Sequence, residues 1–423
     1  MKSFLSRVLS IAMMALAGAP YAYAAPISIL FVGNSYTFGR VDPVMSYNTY
    51  NATTNPGGVH DLTASMYAAN STGANAFEPH PWGGVAGIFK QFTVEAHLDY
   101  DVSMSARNAA SLRGQLLNTN TAGWDLRGNM GSQTWGKVVL QEQSDEPLTK
   151  RPGLASNPDY FRNYADKIEN FVHSTAAQSF RERDFFPGAT SAAQQAACVA
   201  SGLSSGTCST VRNVPANANG NAATDLYLYQ TWARPNLVAG AFVTTTDPTT
   251  GAVTRTATPA TTFFTNLEAM TSELKTSYQA ALDLADNDGS AGFKGIAPVG
   301  EAFMRAVTEG VATRDMWASN ALTDGLIDLW FDDGTHASKY GSYLSALTLF
   351  GTITGLDPQS LGYNEIAAGA LGISGRDAYA LQQIAAESLG FQKVPEPASL
   401  ALVLTGIGLL GSVVRRRKER RAA

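Results

Sequence analysis

The feature that most constrains this chain is an alternation of short β-rich runs with helical stripes between Ile27 and Phe350. Ile27–Val32, Tyr100–Met104, Lys137–Leu140, Asp225–Thr231 and Gly295–Val299 are apolar or alternating runs of strand length. Between and after them, Gly84–His97, Ser111–Leu117, Pro158–Ala177, Phe263–Ala285, Ala302–Val311 and Ala337–Phe350 read as helices. In Pro158–Ala177 the residues Phe161, Tyr164, Ile168 and Phe171 recur at helical spacing and predict one buried stripe. Strands alternating with helices predict an α/β fold of three layers, α/β/α, around a mainly parallel sheet of about five strands. Two stretches interrupt the rhythm. Arg183–Ala223 is rich in Ala, Ser, Gly and Asn, and Ala241–Thr262 in Thr, Ala and Pro. Both read as insertions, either a cap or rim over a site or plain surface loops.

The two ends stand apart from this body. Lys2 and Arg7, the apolar stretch Val8–Ala17 and the small-x-small triplet Ala22-Tyr23-Ala24 predict a cleaved export signal over residues 1–24, with a single membrane anchor as the rival reading. At the other end Val394-Pro395-Glu396-Pro397 leads into the apolar Ala398–Val414 and then the basic cluster Arg415–Arg421. That stretch is just long enough to cross a bilayer, with the cations on the cytoplasmic side; the alternative is a core helix with a solvated tail. This tripartite end resembles the PEP-CTERM sorting signal of Gram-negative bacteria. The resemblance implies processing of residues 394–423 by a membrane-bound exosortase, and a destination in the cell envelope or outside it.

The formal net charge is −5, and the cationic tail holds part of the basic residues, so the body is more acidic still. An acidic body argues against a nucleic-acid partner. Cys198 and Cys208 are the two cysteines. In an oxidising compartment they predict a local disulfide, and they lack the further ligands a zinc site needs.

In a parallel sheet, ligands bind at the carboxyl ends of the strands. The first run ends in Gly33-Asn34-Ser35. Ser35 can be a nucleophile or merely the cap of a following helix. Thr37 stands where a Gly-x-Ser-x-Gly elbow needs glycine, which disfavours an α/β-hydrolase arrangement. A hydroxyl nucleophile needs a base. His97 and His173 fall at the ends of helical patterns and are expected at the surface. His60 and His80 lie in loop-like segments with no acidic residue at a telling spacing. His336 follows Asp332-Asp333-Gly334-Thr335 at the entry of the last helix. Across that turn Asp333 can orient the His336 ring, or cap the helix.

Together, Gly33-Asn34-Ser35 and Asp333-Gly334-Thr335-His336 resemble the end blocks of the SGNH (GDSL-like) hydrolases. The resemblance implies a flavodoxin-like SGNH domain over residues 25–393, acting without metal or cofactor. It implies Ser35 as nucleophile, His336 as base and Asp333 as its orienter. The middle blocks depart from the family. Ala109, with Asn108 beside it, stands at the oxyanion glycine. Gln141, or else Gln143, must supply the amide of the third block. A poorly understood branch of the family shares Leu140-Gln141 and Ser144, and "LYLYQTWARP" (Leu226–Pro235) is similar to that branch. The oxyanion hole would then be the Ser35 N–H, an N–H at Ala109 and the Gln141 amide. Asn34, Ser144, Trp232, Tyr229 and Thr231 are candidates to line the pocket. The implied activity is hydrolysis of an ester through an acyl-serine. The substrate would be a small molecule or a polysaccharide, an O-acetyl carbohydrate for example. A non-catalytic binding or structural protein on a degenerate scaffold, and a polysaccharide O-acyltransferase, are the alternatives.

Overall fold

The computed structural model describes residues 25–391, apart from 70, 73–77, 120–123, 247–248, 250–252, 259–261 and 322. The export signal expected over 1–24 and the tail at 394–423 lie outside the described residues. The strands are β1 (Ile27–Gly33), β2 (His60–Asp61), β3 (Tyr100–Ala106), β4 (Lys137–Gln141), β5 (Gln178–Arg181), β6 (Val211–Val214), β7 (Asp225–Tyr229), β8 (Ala241–Thr246), β9 (Val253–Thr258) and β10 (Gly295–Ala297).

The central sheet has the order β10-β7-β4-β1-β3-β2, and every neighbouring pair is parallel. All five expected strands are present; the sixth, β2, is a two-residue edge strand too short to be read in the sequence. Without β2 the order is the flavodoxin-like 2-1-3-4-5. In register, Phe31 lies between Met104 and Val139, and Gln141 lies beside Tyr229. The carboxyl ends of β1, β3, β4 and β7 therefore share one edge. Ile29 to Val32 have no exposed surface, because helices cover both faces of the sheet.

The helices include α1 (Ser35–Phe38), α2 (Gly84–Glu95), α3 (Leu112–Leu117), α4 (Pro158–His173), α5 (Ser191–Ala200) in the first insertion, α6 (Leu267–Asp286), α7 (Val299–Thr308), α8 (Lys339–Thr354) and α9 (Gly375–Ser388). One layer packs α8 against α2 and α9, and the other packs α4 against α3 and α6. The expected stripe of α4 is buried, with Tyr160 added to it. The helix stops at His173 rather than Ala177, because β5 turns away to pair with β6. α9 follows the helix expected to be the last strong one. It is rich in Ala and Gln and buries only Ala378, Leu381, Gln382 and Ile384–Ala386, too faint a stripe to read.

Cys198 and Cys208 form a disulfide within the first insertion. Phe185 of this insertion packs against Tyr160 and Tyr164 of α4, and Phe180 of β5, just before it, packs against Tyr164. None of the insertion's residues lines the cavity described below. The second insertion contains the antiparallel hairpin β8-β9.

Candidate active site

β1 ends at Gly33 because the next turn packs too closely for a side chain. A Cβ there would lie 2.1 Å from Thr37 Oγ1 and 2.6 Å from Gln141 Oε1. Asn34 then starts α1: its Oδ1 accepts from the Tyr36 N–H at 3.1 Å, while its Nδ2 donates to the Ala110 carbonyl at 3.0 Å. The helix cap is thus Asn34, which leaves the Ser35 hydroxyl free for another partner.

That partner is His336, whose Nε2 lies 2.9 Å from Ser35 Oγ. Its Nδ1 lies 2.6 Å from Asp333 Oδ2, and Asp333 Oδ1 accepts from the N–H groups of Thr335 and His336, both at 2.9 Å. Burial alone would raise the Asp333 carboxyl, but the hydrogen bonds from His336 and Thr335 hold it below the usual carboxylate range. The loop is closed behind the ring, since the Phe331 N–H donates to the His336 carbonyl at 2.8 Å. Ser338 caps α8 immediately after it. In front, the Thr335 carbonyl accepts from the Tyr36 hydroxyl at 2.8 Å and from the Trp232 Nε1–H at 3.0 Å.

A cavity of about 250 Å³ opens over these groups, lined among others by Asn34, Ser35, Arg40, Asn108, Ala109, Gln143, Ser144, Arg234 and His336. Ala109 has φ +55°, the left-handed region that glycine prefers. It thus takes up the conformation of the expected glycine without being one. Among the described residues, neither the Ser35 nor the Ala109 N–H has a hydrogen-bond acceptor.

Gln141 does not offer its amide to the cavity. It is fully buried, and its Oε1 accepts from the Asn34 N–H at 2.9 Å and the Thr37 hydroxyl at 3.0 Å, while Nε2 turns to the Glu142 carbonyl. The amide on the cavity wall is that of Gln143, the alternative. Its Oε1 accepts from the Asp145 N–H at 2.8 Å, which leaves its NH₂ group for a ligand. Trp232 is also withdrawn from the cavity: it is fully buried and stacks on Tyr36 at 4.1 Å. Tyr229 and Thr231 are core residues. Asn34 and Ser144 do line the wall.

Several wall residues escaped the sequence reading. Arg234 donates to Ser144 Oγ at 2.8 Å, to Asp145 and to Thr335 Oγ1 at 3.3 Å. Its signal was position, just past the end of β7 on the sheet edge that carries Ser35. Arg40 pairs with the buried Glu78 at 3.1 Å. Burial pushes the Glu78 carboxyl up, against the pull of Arg40, His336 and His80. The buried Glu142 ties Gln143 to the start of α3, its Oε1 accepting from the N–H groups of Leu112 at 2.9 Å and Gln143 at 2.6 Å.

The other histidines lie elsewhere. His97 is exposed. His173, expected at the surface, is buried between Glu169 and the Thr224 carbonyl. His60 stacks on Tyr50. His80 has an acidic partner after all: its Nδ1 lies 2.6 Å from Asp61 Oδ2, a pairing that sequence spacing does not reveal.

Residues 393–418 match the PEP-CTERM protein-sorting motif. No curated protein matches the chain. Among solved structures, the chain is similar to a protein described as a candidate SGNH hydrolase from Slackia heliotrinireducens (16% identity, 78% of this chain and 99% of that one, TM-score 0.34). It is also similar to a DUF4886 family protein from Bacteroides uniformis (13% identity, 88% and 99%, TM-score 0.38). A third likeness is to a gut microbial diltiazem-metabolizing enzyme (9% identity, 78% and 47%, TM-score 0.31).

Proposed function

We propose that this chain is an exported serine esterase of SGNH type. The observation that carries the reading is the unbroken relay Asp333–His336–Ser35, at 2.6 and 2.9 Å, opening into a cavity with unpaired N–H donors. His336 Nε2 takes the proton of Ser35 as its oxygen attacks the ester carbonyl. Asp333 holds the ring and offsets the charge it gains. The N–H groups of Ser35 and Ala109 and the Gln143 amide receive the oxyanion, each such donor being worth roughly 3–4 kcal/mol in the barrier. His336 returns the proton to the departing alcohol. It then activates water, which frees the acid and regenerates Ser35.

The cavity, about 250 Å³, is smaller than sites for drug-sized ligands, which suits a short acyl group such as acetyl. Its two arginines are already paired, Arg40 with Glu78 and Arg234 with Asp145. A polar but uncharged alcohol, such as a sugar hydroxyl, fits that lining better than an anion. The sorting motif supports an envelope or extracellular location, reached through exosortase processing of the tail.

The test is turnover of a chromogenic acetyl ester by the wild type and by Ser35→Ala. Asn34 caps α1, so the variant keeps its fold, and its rate drops by several orders of magnitude. A serine-directed phosphonate labels Ser35 in the wild type. Equal rates in the two proteins would remove the esterase reading.

A further inference from the structure

Away from Ser35, three carboxyl groups from two segments meet at one spot. Asp166 and Glu169 stand three residues apart on α4, and Asp288 lies in the loop between α6 and β10. One oxygen of each lies within 4.8 Å of the others. Oxygens bound to a single calcium ion at roughly 2.4 Å are separated by at most about 4.8 Å, so the spacing suits one shared cation.

Glu169 supplies an independent sign of a missing ligand. Its side chain has no exposed surface. Oε1 accepts from His173 Nδ1 and from the Gly292 N–H at 2.8 Å. Among the described residues, Oε2 is buried without any hydrogen-bond partner. A buried carboxylate oxygen left unpaired is costly, and a bound cation removes that cost. Asp166 and Glu169 are themselves buried but Asp288 is exposed, so an ion can enter from solvent. Lys167 Nζ, 2.8 Å from Asp166 Oδ2, is the ammonium that meets this cluster, and it occupies one oxygen of the six. The Asn170 amide donates to Asp288 Oδ2 at 2.9 Å and holds the loop carboxylate over the helix.

We propose that Asp166, Glu169 and Asp288 bind a hard divalent cation, calcium in an extracellular setting, which clamps α4 to the loop leading into β10. All-oxygen ligands favour calcium or magnesium over softer metals. The site serves stability rather than chemistry, because none of its ligands lines the cavity at Ser35.

The test is thermal unfolding and calorimetric titration of the full chain, stripped with a chelator and then given millimolar calcium chloride. The expected result is a rise in Tm of several degrees and saturable heat for one ion. Asp288→Asn, at an exposed position where the fold is safe, abolishes both, as does Asp166→Asn. Asp377→Asn, an acidic change far away in sequence on α9, leaves both intact. No rise in Tm and no heat with the wild type would overturn the proposal, as would an unchanged response in Asp288→Asn.

Discussion

Tyr36 and Trp232 are stacked at 4.1 Å with their planes 9° apart, and both donate to one acceptor, the Thr335 carbonyl. The peptide so held is the one that precedes His336. Two rigid aromatic donors thus set the position of the ring that faces Ser35. Burial raises the Tyr36 phenol, which therefore keeps its proton and stays a donor.

Removing one donor leaves the other. Tyr36→Phe and Trp232→Phe are each expected to lower kcat modestly, by about tenfold, since one hydrogen bond is worth on the order of 1 kcal/mol. The double variant leaves the Thr335 carbonyl without either donor and is expected to lose far more than the product of the two. Ester turnover of the four proteins, with Tm beside it, checks this. Simple multiplicativity would show that the two donors act independently.

Asp333→Asn keeps an oxygen for the two backbone N–H groups but turns an amide donor toward His336. The ring then presents the wrong tautomer to Ser35. A fall in kcat of about 10⁴ with near-normal stability is expected, measured by turnover and calorimetry. A small loss would mean that Asp333 only caps the turn.

Ala109 sits at φ +55°. Holding a non-glycine residue there costs on the order of 1 kcal/mol, and glycine would remove that strain at a comparable cost in unfolded-chain freedom. Ala109→Gly is therefore expected to leave stability within about 1 kcal/mol of the wild type and to keep activity. Ala109→Val, branched at Cβ, is expected to lose more than about 1 kcal/mol and to lose turnover as the N–H swings away. Denaturant midpoints and kcat report the two effects.

Glu146 gives stability a pH dependence. Burial, foremost, raises its carboxyl to about 7, against the lowering pull of Arg113 and Lys150. Its folded form thus holds a proton that the unfolded chain releases near pH 4.3, roughly the free value. The resulting stabilisation is complete below that pH and disappears as pH rises through about 7. The wild type is expected to lose stability between pH 5 and 7.5, and Glu146→Gln to show a flatter profile. Urea midpoints across that range decide it.

The strand-helix alternation, the tight corner at Gly33-Asn34-Ser35 and the turn Asp333–His336 were all legible in the linear sequence. Each depends on local chemistry: apolar period, a glycine where the chain packs close, a carboxylate three residues from a ring. What the chain could not reveal by itself was direction and distance between remote parts. Gln141 reads like the amide donor, but the tight corner at Gly33 draws its oxygen inward to Asn34 and Thr37, and Gln143 takes the wall instead. Tyr36 and Trp232 are nearly two hundred positions apart, and only the parallel register of β1, β4 and β7 sets them on one carbonyl. Asp61 with His80, and Asp166 and Glu169 with Asp288, are pairings of the same kind. Local patterns follow from the backbone's own periods, whereas these contacts follow from how separate elements pack, which no spacing along the chain encodes.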